Sequence, residues 1–194
     1  CADFTRQFAA QNPEDFAQRV LVENIGVREV YVGYDYAFGK GREGSIESLK
    51  EMGRHFGFTV GPVDAVQVKG TVVSSSLVRD LISSGRVDET YPYLGRYYSI
   101  EGNVVHGESR GHSLGFPTAN IQSANELLPA YGVYAVRALL GGHHIDGVAS
   151  IGVRPTFGEG PVSIEVFLFG YDGNLYGKHL EVAFIKRLRG EQKF

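Results

Sequence analysis

Hydrophobic and polar positions change their period partway along the 194-residue chain. The first stretch is helical in spacing. Asn12 followed by Pro13 starts one helix and Gly26 can end it. Ser45 opens a second, whose apolar Ile46, Leu49, Met52 and Phe56 share one face. Ser74-Ser75-Ser76 opens a third through Leu77, Val78, Leu81 and Ile82, ended near Gly85. Between them lie β-rich runs: 28–33, centred on Val30-Tyr31-Val32, and 63–73, with room for one or two strands. Helices alternating with strands predict a parallel α/β sheet, here with too few strands for a complete doubly wound domain. Near Pro92 the period falls to two. Strands are predicted at 98–105, 133–140, 145–151, 163–169 and 180–188, parted by glycine-rich turns. Asp172-Gly173 is a hairpin signal between the last two. Short strands without intervening helices argue a small antiparallel barrel, so the fold class is α+β, with domains at 1–92 and 93–194.

Composition adds bounds. Hydrophobic residues make up 43% and charged residues 21%, an ordinary globular mix. A net charge of −3 gives no footprint for nucleic-acid binding, and no apolar run is long enough to span a bilayer. Cys1 is the single cysteine, which excludes an internal disulfide framework. The expected location is cytoplasmic. A start at Cys1 and a stop at Phe194, directly after a strand-like basic run, suggest a piece of a longer protein.

Candidate chemistry concentrates in Gly111-His112-Ser113-Leu114-Gly115-Phe116-Pro117-Thr118-Ala119-Asn120. Its glycines permit tight bends and close approach of backbone to a ligand. Thr118 and Asn120 sit two apart, so extended backbone turns both to one face. A hydroxyl and an amide carbonyl there are hard oxygen donors, suited to Mg²⁺ shared with phosphates. A Gly/Pro turn with local hydrogen bonding accounts equally well for the same spacing. Glu165 shares a strand face with Phe167 and Phe169, away from Ile164, Val166 and Leu168. It is either an edge-strand residue at the water line or a partly desolvated general base.

The run G-x-x-L-G-x-P-T-A-N resembles the signature of riboflavin kinases. Further segments follow in the family's order: Gly102-Asn103-Val104-Val105-His106-Gly107, Gly132-Val133-Tyr134-Ala135, Ile151-Gly152-Val153-Arg154-Pro155-Thr156-Phe157, Glu165, Leu175-Tyr176-Gly177 and the run 187–194. Together they are similar to the kinase half of the bacterial bifunctional riboflavin kinase/FMN adenylyltransferases. The resemblance implies a β-barrel kinase domain making FMN from riboflavin and ATP with Mg²⁺. It makes Glu165 the catalytic base and Thr118 and Asn120 the metal positions. The loop with Gly107, Gly111, Gly115 and Pro117, together with Thr118, would hold ATP. Arg110 would assist there or serve as a solvated loop cation. His112 departs from the family's usual residue, which leaves its role open. Arg189 matches a flavin-site position, or is a surface cation. The resemblance also implies more sequence before Cys1 and a helical tail after Phe194.

The first half carries a G-x-G-x-x-G at Gly39, Gly41 and Gly44. The six residues 33–38 lie between the strand centre Val30-Tyr31-Val32 and Gly39, so it does not make the tight turn of a dinucleotide fingerprint. The segments 33–39 and 74–79 instead resemble two motifs of the Rossmann-like FMN adenylyltransferase domain, which points to Asp35, Ser75, Ser76 and Arg79. Ser76 stands where that family usually has Thr, and hydroxyls at a helix start suit phosphate. None of the six histidines forms that family's H-x-G-H motif. The expectation is a kinase that makes FMN but not FAD, with ATP and riboflavin as small-molecule partners and no membrane or nucleic acid. FMN adenylyltransferase activity, FMN and ATP to FAD, in the full-length parent and a non-catalytic flavin-binding module are the rival readings.

Overall fold

The computed structural model describes residues 3–106, 118–153 and 162–191. The chain divides into two compact units, Cys1–Val72 and Val73–Phe194.

In the first unit, Asn12 caps the short helix α2 (Pro13–Asp15) through its side-chain oxygen, preceded by the single turn α1 (Arg6–Ala9). Winding continues with π-helical bonding over Phe16–Ile25 until Gly26, at φ 69°, ends it. Strand β1 (Glu29–Gly33) is followed by α3 (Ile46–Phe56), where Ser45 and Ser48 form a reciprocal capping box. Strand β2 (Thr59–Val63) then pairs parallel with β1, from Glu29↔Thr59 to Gly33↔Val63. Sequence spacing placed strand structure only from Val63 onward. Gly61 and Pro62 inside β2 suppress the usual strand signal. The expected run 63–73 holds instead a two-residue ladder, β3 (Gln67–Val68) with β4 (Thr71–Val72). Ala17, Val32, Phe38, Leu49 and Phe58 form this unit's core. Gly39 and Gly44 flank a short 3-10 turn bridged by Phe38 and Gly44, not a strand-to-helix phosphate turn.

The second unit opens with α4 (Ser75–Ser83), capped by Ser74, whose hydroxyl accepts from the Leu77 amide at 3.2 Å. A 3-10 turn (Val87–Thr90) and α5 (Tyr91–Leu94) lead into a closed barrel. Its strands are β5 (Ser99–Val105), β6 (Ala119–Ser123), β7 (Gly132–Leu140), β8 (His143–Val153), β9 (Val162–Leu168) and β10 (His179–Gly190). They close in the order β10-β5-β6-β9-β8-β7, every pair antiparallel. Alternate residues of each strand fill the interior, where Tyr134 and Phe184 meet edge to face at 5.3 Å. Full burial of a side chain such as Phe184 contributes about 2–3 kcal/mol.

Two connections matter for the site. β7 and β8 are joined by Gly141-Gly142, both at positive φ, the backbone that a two-residue hairpin turn requires. Asp172-Gly173 is not a hairpin turn. β9 pairs with β6 and β8, β10 with β5 and β7, so the segment carrying Asp172 crosses between strands that never meet. The local dipeptide signal is overridden by barrel closure, which gives both strands other partners.

Candidate active site

Strand β6, like β2, is an element that the periodic pattern did not show. Its sequence, Ala-Asn-Ile-Gln-Ser, carries too little alternation, and its first three residues are all buried. Pairing on both sides places Asn120 opposite Val105 of β5 and opposite Glu165 of β9. Glu165 is in turn opposite Ser150 of β8. Directly paired residues in an antiparallel sheet point to one face, with Cβ atoms about 5 Å apart. The interior face here holds Ala119, Ile121, Ala149, Ile151, Ile164 and Val166. Asn120, Glu165 and Ser150 therefore form a row on the outer face. Within it Glu165 is half-buried, while Asn120 is only 8% exposed. A half-buried carboxylate keeps its charge accessible yet avoids full solvation, which suits a proton acceptor. Ser163, two residues before Glu165, donates a long hydrogen bond of 3.4 Å to Glu165 Oε1.

Thr118 immediately precedes β6, on the side of Asn120 that leads toward Phe167. It lines a cavity of about 370 Å³ with Val104, Tyr171, Asp172, Asn174 and Tyr176. The Tyr176 ring stacks on His106 at 3.9 Å and 23°. Lys178 Nζ donates to the Tyr171 hydroxyl at 3.1 Å and lies over its ring. The corner joining this cavity to the Asn120–Glu165 row thus offers a hydroxyl, an amide and a carboxylate. All are oxygen donors that fit a hard divalent cation completing its shell with phosphate and water. Among the described residues no group of three or more His, Cys, Asp or Glu is gathered for a metal, so a cation here relies on these mixed donors.

The remaining candidates fall into four places. Gly107, Arg110, Gly111, His112, Gly115 and Pro117 lie outside the described residues, as does the segment 154–157. Arg189 is exposed near the end of β10, opposite Val133 of β7, with Nη1 donating to the Gly190 carbonyl at 3.2 Å. Val133 is in turn opposite Ser150 of β8, so Arg189 continues the Asn120–Glu165–Ser150 row two strands beyond Ser150. Ser75 and Arg79 of α4 line a cavity of about 420 Å³ together with Ser74, Tyr93, Arg96 and Tyr98. Two guanidinium groups beside serine hydroxyls suit a phosphate. Burial raises the Tyr98 hydroxyl above its ordinary value, with Arg96 opposing. Ser76 is exposed and does not line that cavity, and Asp35 is exposed in the turn after β1 of the first unit. The nucleotide-sized cavity at Tyr171–Tyr176 was not assigned from sequence. The only signal for it was the Leu175-Tyr176-Gly177 segment.

The site is thus a six-strand closed antiparallel barrel on which Asn120, ending the Thr118-Ala119-Asn120 run, stands opposite Glu165. A family model described as riboflavin kinase matches residues 94–194, and one described as FAD synthetase matches residues 1–77. The chain belongs to the riboflavin kinase family. The bifunctional riboflavin kinase/FMN adenylyltransferase of Pseudomonas fluorescens is 38% identical over all of this chain and 63% of its own length. Its counterpart in Escherichia coli K12 is 37% identical over all of this chain and 62% of its own length. That of Bacillus subtilis is 34% identical, covering 98% of this chain and 61% of its own. The chain therefore spans less than two thirds of these relatives. A crystal structure described as a macrolide-efflux protein from Streptococcus pneumoniae superposes with a TM-score of 0.85 at 31% identity. That match covers 99% of this chain and 62% of the other. Among the described residues no helix is long and apolar enough to cross a membrane.

Proposed function

We propose that residues 93–194 transfer the γ-phosphate of ATP to the ribityl 5'-hydroxyl of riboflavin, giving FMN. The observation that carries this reading is the direct opposition of Asn120 and Glu165 on neighbouring strands, beside the cavity that Thr118 lines. Phosphoryl transfer needs placement and charge neutralisation more than covalent help from the protein. In this reading the cavity at Tyr171–Tyr176 takes the nucleotide, with Lys178 adding positive charge near its rim. Thr118 and Asn120 hold Mg²⁺, which when bound neutralises charge on the phosphates. Glu165 accepts the proton of the attacking hydroxyl, and Ser163 orients its carboxylate. The loop bearing Gly107, Arg110, Gly111, His112, Gly115 and Pro117 contributes phosphate contacts, and Arg189 lies on the flavin side. The expected location is cytoplasmic.

The experiment is a chromatographic flavin assay of the chain with riboflavin and ATP, with and without Mg²⁺. FMN formed only with Mg²⁺ supports the reading. A folded chain that forms no FMN overturns it.

A second activity is favoured by the FAD synthetase match over residues 1–77 and by the arginine-lined cavity at Ser75 and Arg79. We propose that these residues, with Asp35, serve FMN adenylyl transfer in a longer protein. This chain alone, lacking an H-x-G-H motif, makes no FAD. FAD appearing in the same assay refutes that part.

A further inference from the structure

We infer that Arg96 is an anion-binding residue of the α4 cavity, where it joins Arg79 on the oxygens of a pyrophosphate group. The inference rests on the adenylyl-transfer reading above and names the part of the substrate that this cavity takes. Adenylyl transfer from ATP releases pyrophosphate, so it needs positive charge around that leaving group. Arg79 and Arg96 both line the cavity of about 420 Å³, and no aspartate or glutamate lines it. Neither guanidinium has a hydrogen bond or ion pair among the described residues. Two unpaired cations bordering one cavity repel each other, and a polyanion between them removes that cost. The Tyr98 hydroxyl is committed to the Leu127 carbonyl at 2.6 Å, and the Ser74 hydroxyl to the Leu77 amide at 3.2 Å. The two arginines therefore carry the charge of the site. A single phosphate occupies one arginine fork, whereas pyrophosphate has oxygens for two.

Arg96 does not belong to α4. It follows Gly95, which ends α5 at φ 69°, and it lies within the span 94–194 that matches riboflavin kinase. The segment leading into the barrel thus lends a cation to the cavity of the other activity. Arg96 also borders two further cavities, of about 240 and 370 Å³, and among the described residues it alone is common to the three. Glu181 lines both of these, and Glu101 lines the larger. Strands β10 and β5 set Glu181 directly opposite Glu101. Like charges at directly paired positions are destabilising and attract a nearby cation. Glu181 accepts from the Ser99 hydroxyl at 2.7 Å, and Glu101 faces His179 Nε2 at 3.4 Å. The smaller cavity adds His144 and Arg137, and Arg137 is already engaged by Asp146 at 2.7 Å. The carboxylate pair therefore competes with an anion for Arg96, without holding it in an ion pair.

The test is calorimetric titration of the whole chain with inorganic pyrophosphate, for wild type, Arg79→Gln, Arg96→Gln, Arg96→Lys and Glu181→Gln, each beside a thermal melt. Arg79→Gln and Arg96→Gln should each raise the pyrophosphate Kd roughly tenfold, through loss of one charge-assisted fork. Arg96→Lys should recover only part of that loss, because an ammonium has no fork. Glu181→Gln should lower the Kd roughly twofold to threefold, by removing an exposed competitor. Orthophosphate should bind wild type roughly tenfold more weakly than pyrophosphate, since it fills one fork. Melting temperatures should not move, because all three side chains are exposed. An unchanged Kd in Arg96→Gln beside a raised one in Arg79→Gln would overturn the inference and leave the adenylyl-transfer reading standing. Equal affinity for the two anions would overturn the two-arginine site. An unmoved Kd in Glu181→Gln would overturn the competition with the barrel carboxylates. A wild type that binds no pyrophosphate overturns both the inference and the reading it rests on.

Discussion

Replacing Glu165 with Gln separates chemistry from folding at a single atom. The side chain lies on the outer face of the barrel, half-buried, and its one described hydrogen bond comes from the Ser163 hydroxyl at 3.4 Å. A glutamine keeps the volume and an oxygen that can accept that bond. No packed group is lost and no interior polar atom is orphaned, so stability should stay within about 0.5 kcal/mol. For a unit of this size that corresponds to a melting shift of roughly 3 °C or less. The amide cannot accept a proton at neutral pH. Loss of general-base assistance lowers kcat by roughly 10² to 10⁴, or about 2.7–5.5 kcal/mol at 1.36 kcal/mol per decade. Riboflavin and ATP binding should persist. Glu165→Asp keeps the charge but withdraws it by more than 1 Å, a misplacement that lowers kcat by roughly 10². The assay is FMN production at saturating substrates, run beside a thermal melt of each protein. A folded Glu165→Gln variant within tenfold of wild-type kcat would refute the base assignment. A large fall in melting temperature would instead show that the residue serves the fold.

Asn120→Ala should move the Mg²⁺ concentration for half-maximal rate upward roughly tenfold, and the loss of a buried polar partner should lower stability by about 1–3 kcal/mol; an unshifted Mg²⁺ titration refutes its metal role. Tyr134 is fully buried, its hydroxyl donates to the Ala130 carbonyl, and burial holds it above the ordinary tyrosine value, with Arg187 opposing. A raised folded-state value gives a stabilising contribution that is whole below the ordinary tyrosine value and lost as pH rises through the folded one. Phenolate absorbance should show a late-titrating group of tyrosines in wild type that is smaller by one phenol in Tyr134→Phe, and an equal late fraction in the two proteins would refute it.

Much of this was legible in the sequence because the responsible interactions are local. Ser45, Ser74 and Asn12 cap helices wherever they precede a helical run, since the side-chain oxygen and the free amides lie within three residues. The inward Ile164, Val166 and Leu168 of β9 alternate with outward Ser163, Glu165 and Phe167 as the period-two pattern required. The motif ending in Thr118-Ala119-Asn120, and Glu165 as a carboxylate on a strand face shared with Phe167 and Phe169, were likewise visible as single positions. What failed were elements whose existence depends on partners. β2 forms despite Gly61-Pro62 because β1 supplies its backbone bonds, and β6 forms because β5 and β9 flank it.

The sequence by itself determined which residues of the barrel strands face inward, where helices begin, and which positions carry the hydroxyl, amide and carboxylate oxygens that the proposed transfer would use. The tertiary structure alone decided which of them meet. Barrel closure, not the Asp172-Gly173 signal, separates β9 from β10 and sets β9 beside β6. That choice puts Glu165 opposite Asn120 and lays the Glu191 carboxylate on Gly152, a strand its own strand never pairs with. Pairing between distant segments is chosen by the burial of a whole interior at once, and no local pattern encodes it.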